Sequence, residues 1–425
     1  MPDRSKAPDI HNIENLNLPV PRQIRLDNGL PVYIINMGTQ PVVKLEIVFF
    51  AGRPYEHKKL ASRATVGLLK EGVQGADSAA IAEHFDFYGS SLSFPFNLDT
   101  SNIVLYSLGK YFDKVLPMFA ALLTQPIFPE EELQRFIKRN RQRLQIDLQK
   151  NDLVAYRQIT EDIFGSDHPY GYNSYLDTYE RLERADLIRH FERHYNSKNG
   201  MIIISGRVEE YMLEALNRHL GQSIPRGTAG NPVLEGEGSP PGKRWIDHPD
   251  SVQAAVRIGR RLFDRKHPDY FGMYVLCTVL GGYFGSRLME NIREEKGYTY
   301  NIYSMIDTMT HDGFFYIGTE VGNEFVSDTR TQIYREMQDL QENLIGEEEL
   351  QMVRNYLLGN FLTMLDGPFN VSELVKDLLM ESLPLSHFED WVQAVRTVPA
   401  ASLRELARRY FRSEDLMEVI VGKRE

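Results

Sequence analysis

The sequence predicts an α+β fold made of two homologous domains, each a mostly antiparallel sheet backed by helices. The first observation is an internal repeat. Pro129-Glu-Glu-Glu-Leu-Gln134 returns as Gly346-Glu-Glu-Glu-Leu-Gln351, and Met201-Ile-Ile-Ile-Ser-Gly206 returns as Met417-Glu-Val-Ile-Val-Gly422, at spacings of 217 and 216 residues. Segments that recur in the same order, separated by nearly the same number of residues, indicate a duplicated domain rather than a short-period solenoid.

Chain length and the order of the hydrophobic patterns are the other two observations. At 425 residues the chain is too long for one core and suits two domains of roughly 200 residues each. Strand patterns open and close each half, and helical patterns lie between them. Gly89 and Gly297, each between a helix and a strand, add a weaker third echo. This order is typical of helices massed behind a sheet.

The predicted organisation has four segments. Residues 1–20 are polar and contain several prolines, which predicts an extended N-terminal arm. Residues 21–224 form the first domain, residues 225–243 the linker, and residues 244–425 the second domain. The linker is rich in proline and glycine, and such a stretch holds neither a helix nor a central strand.

Each predicted element follows from the periodicity of its apolar residues. In the first domain they are a hairpin around the turn Asp27-Asn-Gly29, a strand at 42–50, helices from residue 60 and at 78–88, strands at 91–96 and 102–107, helices to about 197, and a strand ending at Gly206. In the second domain they are strands near 252–260, helices at 268–280 and 286–296, strands near 300–307 and 313–320, helices to 411, and a strand at 417–421.

Composition excludes several classes of function. The net charge of −11 disfavours nucleic-acid binding, which rewards basic surfaces. The sequence has no run of about 18 apolar residues, so no membrane span is predicted. The first residues lack an apolar stretch of secretory type, which predicts a cytoplasmic protein. Cys277, the only cysteine, lies in an apolar run and is predicted to be a buried hydrophobic residue rather than a catalytic thiol.

Several short segments closely resemble the insulinase, pitrilysin and mitochondrial processing peptidase family, and the resemblance covers nearly the whole chain. They are Phe49-Phe-Ala-Gly-Arg53, Leu68-Leu-Lys-Glu-Gly72, Asp167-His-Pro-Tyr-Gly171, Gly281-Gly-Tyr-Phe-Gly-Ser-Arg-Leu288 and Arg293-Glu-Glu-Lys-Gly-Tyr-Thr-Tyr300. The resemblance implies a processing-peptidase-like metallohydrolase fold, in which the two domains form half of a clamshell chamber. It also implies an inverted zinc motif, H-x-x-E-H, on the first long helix of the first domain.

This chain lacks that motif. Histidines at i and i+4 share one helical face, and the adjacent glutamate activates the zinc-bound water. The motif belongs just before Leu68, where Arg63 and Gly67 replace the two histidines and Val66 replaces the glutamate. Arginine has no lone pair for zinc. The resemblance also places a further zinc ligand, a glutamate, well downstream in the first half. In the matching segment of this chain, Asp147 is the only acidic candidate. The sequence therefore predicts no metal site and no catalytic residue in this chain.

The second domain keeps the other half of the family pattern. The resemblance implies that Arg293 and Tyr300 help to hold substrate opposite the zinc, and that in two-chain members the chain without zinc supplies them. A guanidinium and a phenol suit a peptide carbonyl or its developing oxyanion. The alternative is a surface arginine paired with Glu294 or Glu290, and a tyrosine packed in the sheet. The complete signature favours substrate binding.

Two other patterns need an interpretation. His190 and His194 are spaced for zinc, but Glu192 lies about 200° around the helix from His190 and cannot act as the neighbouring base. We expect a partly exposed structural pair. The glycine-rich stretch at 281–285 lacks the lysine and spacing of a P-loop, and is predicted to be a turn that opens a helix and lines the substrate cavity.

Together these features predict the non-catalytic, substrate-binding subunit of a heterodimeric zinc metallopeptidase that cleaves peptides or unfolded polypeptides. The zinc is expected on a partner subunit of the family that carries H-x-x-E-H, with a homodimer as the association in isolation. The main alternative is a proteolytically silent structural or binding protein, resembling the core subunits of respiratory complexes. A hydrolase with an unrecognised active site is the third.

Overall fold

The computed structural model describes residues 15–424, in two halves that each contain their own sheet. Residues 1–14, most of the predicted arm, lie outside the described residues. The strands of the first half are β1 (Arg22–Arg25), β2 (Pro31–Asn36), β3 (Val42–Phe49), β4 (Gly72–Val73), β5 (Ala76–Asp77), β6 (Ser91–Ser93), β7 (Ser101–Leu108) and β8 (Gly200–Gly206). Those of the second half are β9 (Gly242–Asp247), β10 (Gln253–Arg261), β11 (Ile302–Thr308), β12 (Gly313–Gly322) and β13 (Met417–Gly422).

The α-helices lie mainly between the inner strands of each half. They are α1 (Ala61–Leu68), α2 (Ser78–Phe87), α3 (Phe112–Thr124), α4 (Glu130–Asp147), α5 (Asn151–Phe164), α6 (Leu176–Glu180), α7 (Arg184–His194), α8 (Glu210–Leu216), α9 (Tyr270–Cys277), α10 (Val326–Glu342), α11 (Glu347–Met364), α12 (Gly367–Met380), α13 (His387–Thr397) and α14 (Ala400–Tyr410). Wider π-helical turns follow at Asn217–Gly221, Thr278–Gly282 and Met289–Glu295.

The two sheets share one topology, which confirms the predicted α+β fold of two homologous domains. The first has the order β1-β2-β8-β3-β7-β6, and the second, read from its other edge, has the order β9-β13-β10-β12-β11. In each sheet the closing strand pairs parallel on one side, β8 with β2 and β13 with β9. The other pairings within these two sheets are antiparallel. The first sheet has β1 as an extra edge strand.

The sequence echoes coincide with equivalent local structures. Helices α4 and α11 both contain 18 residues and begin with three glutamates, which complement the positive end of the helix dipole. Their N-cap residues, Pro129 and Gly346, have the same extended conformation. Gly89 and Gly297 both adopt positive φ, +60° and +68°, which glycine adopts without steric cost.

The structure differs from the predicted elements in several places, among them strands β9 and β6 and the helix predicted at 268–280. Strand β9 was missed, and its first residues, Gly242 and Lys243, were assigned to the linker; most of its side chains are exposed, so it lacks an apolar pattern. Strand β6 ends at Ser93, although a strand was predicted to residue 96. The helix predicted at 268–280 is α-helical only to Cys277 and then widens into a π-helical turn.

Buried contacts join the two halves. One hydrophobic cluster combines Ile35, Val48 and Ile203 of the first half with much of the core of the second half. Leu16 and Leu18, in the described part of the arm, are buried in this same cluster. The arm residues therefore form part of the junction between the halves.

A buried ion network lies at the same junction. Lys44 and Glu46 of β3 are almost fully buried, and their charged groups are 2.7 Å apart. Both also contact α12, where Lys44 pairs with Glu373 and Lys376 lies 3.4 Å from Glu46. Burial opposes the charged form of Lys44, but Glu46 and Glu373 together raise its pKa. Breaking one member leaves an unpaired buried charge, which is strongly unfavourable.

Cys277 is buried at the end of α9, as predicted. Burial raises the pKa of its thiol well above the usual range. A reactive cysteine needs an accessible, stabilised thiolate, and this thiol has neither. Within residues 15–424, no helix has the length and apolar character needed to cross a membrane.

Candidate functional site

Helix α1 carries the three residues at the position of the inverted zinc motif. The guanidinium of Arg63 lies 5.5 Å from the centre of the Phe96 ring and donates to Asn140 Oδ1 at 3.4 Å. Val66 is buried, and a Cβ at Gly67 would meet the Phe136 ring at 3.5 Å. A cation, an aliphatic group and a phenyl ring thus occupy the space around these positions. None of them supplies a ligand for zinc.

Asp147, the candidate for the distal ligand, lies at the end of α4. Its carboxylate pairs with Lys150 at 2.9 Å and with Arg143 at 3.6 Å, and these cations lower its pKa, Lys150 most strongly. Asn140 is the α4 residue that contacts Arg63, and Asp147 lies seven residues, or about 10 Å along the helix axis, beyond it. The described residues contain no group of three histidine, cysteine or acidic side chains that could hold a metal ion. The side chains present do not fit a zinc site.

The Arg293 and Tyr300 signature is on the surface of the second half. Arg293 is in the π-helical turn Met289–Glu295, 29% exposed, with its guanidinium 2.5 Å from Glu294 and 4.5 Å from the centre of the Phe284 ring. Gly297 then turns the chain toward β11 with positive φ. Tyr300 precedes β11 and is 90% exposed. Arg293 therefore has the surface ion pair of the alternative interpretation, but Tyr300 is not packed in the sheet.

The glycine-rich stretch before this signature packs closely on β11. A Cβ at Gly281 would lie 2.6 Å from the backbone nitrogen of Ser304, a distance that real side chains do not reach. The hydroxyl of Ser304 also donates to the carbonyl of Cys277 at 2.6 Å. Only glycine allows this approach, so the stretch fixes the turn that carries Arg293 against the sheet.

A cavity of about 410 Å³ lies between the halves. Its walls include Arg53, Phe96, Asp99 and Tyr156 from the first half and Asp307 from the end of β11. Phe96 also contacts Arg63. The part of α1 that corresponds to the zinc motif therefore borders this cavity. Sequence reasoning missed most of these wall residues, because they come from distant segments that only the folded chain brings together.

Two family segments of the first half hold one wall of this cavity together. The guanidinium of Arg53 lies 4.3 Å from the centre of the Tyr172 ring and donates to the carbonyls of Pro169 and Tyr172. The Tyr170 hydroxyl donates to Asp99, whose other oxygen accepts from the Thr310 amide at 3.0 Å. These contacts join residues 49–53 and 167–171 to each other and to the second half.

Tyr300, one of the two residues predicted to hold substrate, lies far from this cavity. Tyr300 precedes the start of β11, whereas Asp307 and Thr308, at the other end of the strand, line the cavity. A strand of this length, Ile302–Thr308, spans about 20 Å. Tyr300 therefore lies away from the zinc-motif position beside Phe96 within the same chain.

His190 and His194 are not the partly exposed pair that the sequence suggested. Both are buried, with ring centres 4.7 Å apart, and His190 Nε2 lies 2.9 Å from the Ala51 carbonyl. Gly230 of the linker covers His194, since a Cβ there would lie 3.2 Å from Nδ1. The expectation of partial exposure was wrong because strand and linker residues, remote in sequence, cover this helical face.

This pair predicts acid sensitivity. Burial, and then the charges nearby, lower the pKa of His190 to about 3 and that of His194 to about 4. In the unfolded chain both are near 6.5, so the unfolded state binds more protons as the pH falls below that value. The free energy of unfolding should decrease by about 2 kcal/mol per imidazole between pH 7 and pH 5. Denaturant titrations followed by circular dichroism at the two pH values measure it.

The matched variants for this prediction are His194→Asn and His84→Asn. His194→Asn should remove about 2 kcal/mol of the pH-dependent loss. His84→Asn is the comparison variant, because His84 lies on α2, outside this pair, with its Nε2 3.0 Å from the Lys114 carbonyl. Equal pH dependence in all three proteins would contradict the assignment.

The geometry defines a duplicated α+β fold, and the described side chains around the zinc-motif position in α1 include no zinc ligand. Residues 181–357 match the family model described as "Peptidase M16 inactive domain". A curated relative, the "Non-peptidase homolog YmxG" of Helicobacter pylori, is 25% identical over 358 residues, covering 77% of this chain and 79% of that protein.

Solved structures share the whole fold. The peptidase M16 inactive domain from Pseudomonas fluorescens superposes with a TM-score of 0.88 at 22% identity, covering 95% of this chain and 98% of that one. A chain of complex III2 from Candida albicans has a TM-score of 0.74 at 14% identity, covering 94% of this chain and 95% of that one. These matches confirm the resemblance that the motifs indicated, and the sequence contains no H-x-x-E-H.

Proposed function

We propose that this chain is the non-catalytic, substrate-binding subunit of a heterodimeric zinc metallopeptidase that cleaves peptides or unfolded polypeptides. The zinc and the H-x-x-E-H motif belong to a partner chain of the same family. One contrast carries the proposal. Arg63, Val66 and Gly67 leave no zinc ligand in α1, whereas Tyr300 is 90% exposed and makes no hydrogen bond with another described residue.

The position of the signature suits action on a partner chain. Because β11 separates Tyr300 from the cavity by about 20 Å, Tyr300 cannot serve the former metal position of its own chain. Its exposed phenol and the partly exposed guanidinium of Arg293 instead point to a site completed by association. There they would donate hydrogen bonds to a peptide carbonyl, a task suited to a fixed guanidinium and a phenol.

The surroundings of the signature favour a protein interface. Phe284, in contact with Arg293, is 63% exposed, and its neighbour Tyr283 packs on Tyr356 of α11 with ring centres 5.1 Å apart. Tyr356 and Met352 of α11 are also exposed. Contiguous exposed aromatic and methionine side chains mark interaction surfaces more often than ordinary solvated ones. This surface is the proposed contact with the zinc-bearing partner.

The second candidate is a proteolytically silent structural or binding protein. The observation that favours it is the shared fold with a chain of complex III2, together with the name of the Helicobacter pylori relative as a non-peptidase homologue. In that case the exposed surface around Phe284 would contact a partner without proteolysis, and Arg293 and Tyr300 would have no substrate.

A reconstitution experiment tests the proposal. The chain is purified alone, and a chain of the same family that carries H-x-x-E-H, from the same genome, is purified separately. Each is assayed with an unfolded polypeptide, singly and mixed, and the masses are measured by light scattering. We expect a mixed dimer with activity that neither chain has alone. A mixture that associates without activity favours the silent protein, and a zinc-bearing chain that is fully active alone overturns the subunit role.

A further inference from the structure

A second cavity, of about 540 Å³, lies among helices α9, α11 and α12 of the second half. This volume is in the range of cavities that hold small molecules or single side chains. Thr308, at the end of β11, lines both this cavity and the one between the halves. Its other walls combine aromatic rings, two amides and acidic groups, which include Tyr274, Trp391, Asn360, Asn370 and Asp377.

Among the carboxylates around this cavity, Asp377 has the weakest pairing with a cation. Arg265 Nη1 lies 3.1 Å from Glu381, and Lys44 and Lys376 pair with Glu46 and Glu373 in the network described above. Asp377 has a long ion pair with Lys376 Nζ, at 3.9 Å, and accepts no hydrogen bond from a described residue. Its side chain is 51% exposed, so a ligand can reach it.

The environment of Asp377 disfavours an unpaired negative charge. Desolvation raises its pKa, although Lys376 and Arg265 act in the opposite direction. A cation bound beside this carboxylate would therefore replace water in a cavity where charge pairing is stronger than on an open surface. The negative charge selects a cation and disfavours an anion.

The rest of the wall fits an ammonium group. The Tyr274 ring stands edge-on to Trp391 with centres 4.8 Å apart, and aromatic faces beside a carboxylate attract organic cations. Arg265 lies 5.3 Å from the centre of the Trp391 ring, whereas Tyr274 has no cation over its face among the described residues. The Asn370 amide donates to the Thr363 carbonyl, which leaves its own oxygen free to accept. The Asn360 side chain makes no hydrogen bond to a described residue, so it also has a free acceptor.

We propose that this cavity binds the side chain of a lysine residue in a peptide. Asp377 pairs with the ammonium group, Tyr274 contacts the alkyl chain and its charged end, and Asn360 and Asn370 accept the remaining N–H hydrogens. The site is complete within this chain. It therefore needs no partner subunit, and it stands whether or not Arg293 and Tyr300 serve a peptidase.

Tryptophan fluorescence tests the site directly, because Trp391 is one of two tryptophans in the chain. In a Trp245→Phe background, the full chain is titrated with a blocked glycyl-lysyl-glycine amide, and with the same peptide carrying norleucine instead of lysine. We expect a saturable change with the lysine peptide and none with the norleucine peptide. Equal binding of both peptides, or no saturable change with either, overturns the proposal.

Asp377→Asn and a matched control complete the test. Asp377→Asn should weaken binding of the lysine peptide at least tenfold, while Asp250→Asn, at an exposed turn before β10, should leave it unchanged. Unchanged binding by Asp377→Asn overturns the role of this carboxylate. If that variant does not fold, the two peptides still decide the outcome in the chain with native Asp377.

Discussion

Arg293→Ala is expected to lower kcat/KM of the assembled peptidase about 100-fold, and Tyr300→Phe should have an effect of similar order. Each change removes a hydrogen-bond donor that we assign to the substrate carbonyl. Neither should disturb folding, because Tyr300 is 90% exposed and Arg293 has, among residues 15–424, a surface ion pair and the Phe284 ring as its side-chain partners. Initial rates with a fluorogenic peptide, measured on purified heterodimer, provide the test.

The controls for this prediction are Arg181→Ala and Tyr175→Phe. Arg181 is an exposed arginine paired with Asp177, and Tyr175 is an exposed tyrosine, so both resemble the test residues but lie in the first half. They should leave the rate unchanged. If the heterodimer keeps full activity with Arg293→Ala and Tyr300→Phe combined, the substrate-binding role is wrong. If the variants fail to associate, light scattering reveals a role in the interface instead.

Glu46→Gln should lower the free energy of unfolding by about 3–5 kcal/mol. Glu46 is nearly fully buried between Lys44 and Lys376, and it also accepts from Asn102 Nδ2 at 2.9 Å. The neutral amide leaves two buried ammonium groups with less compensation. Because this network joins β3 to α12, we expect the junction between the halves to open first. Denaturant unfolding and hydrogen exchange measure the two effects.

Two further variants show whether burial of charge causes this loss. Glu210→Gln removes an exposed carboxylate that pairs with Arg22, and should leave the stability nearly unchanged. Replacing Lys44, Glu46 and Lys376 together by methionine should recover most of the stability, since a buried ion network is often no better than apolar packing. A loss of less than about 1 kcal/mol with Glu46→Gln would contradict a buried network at this junction.

Local sequence patterns predicted most of the fold. The echoes before α4 and α11 and in β8 and β13 indicated the duplication, and each coincides with an equivalent element. Strand β9 was not predicted because its side chains are mostly exposed. It is held by backbone pairing with β13, in which Gly242 pairs with Met417, 175 residues further along the chain. Apolar periodicity cannot reveal a strand that buries little.

The candidate site, like the fold, could be predicted from the sequence only in part. The absence of the zinc motif at Arg63, Val66 and Gly67 was visible in the sequence, because the motif is local. The cavity wall at Asp99 and Asp307, and the cavity that contains Asp377, depend on contacts between segments far apart in the chain. No spacing rule within one segment indicates them.

Zinc content of the isolated chain is the most direct measurement of the central claim. The protein is incubated with excess zinc chloride, passed through a desalting column, and analysed by mass spectrometry of the metal, with a zinc-bearing family member treated in parallel. We predict zinc at the level of the buffer blank for this chain and one zinc per chain for the other. One tightly bound zinc per chain here would contradict the account, because α1 would then hold a metal without the ligands that it needs.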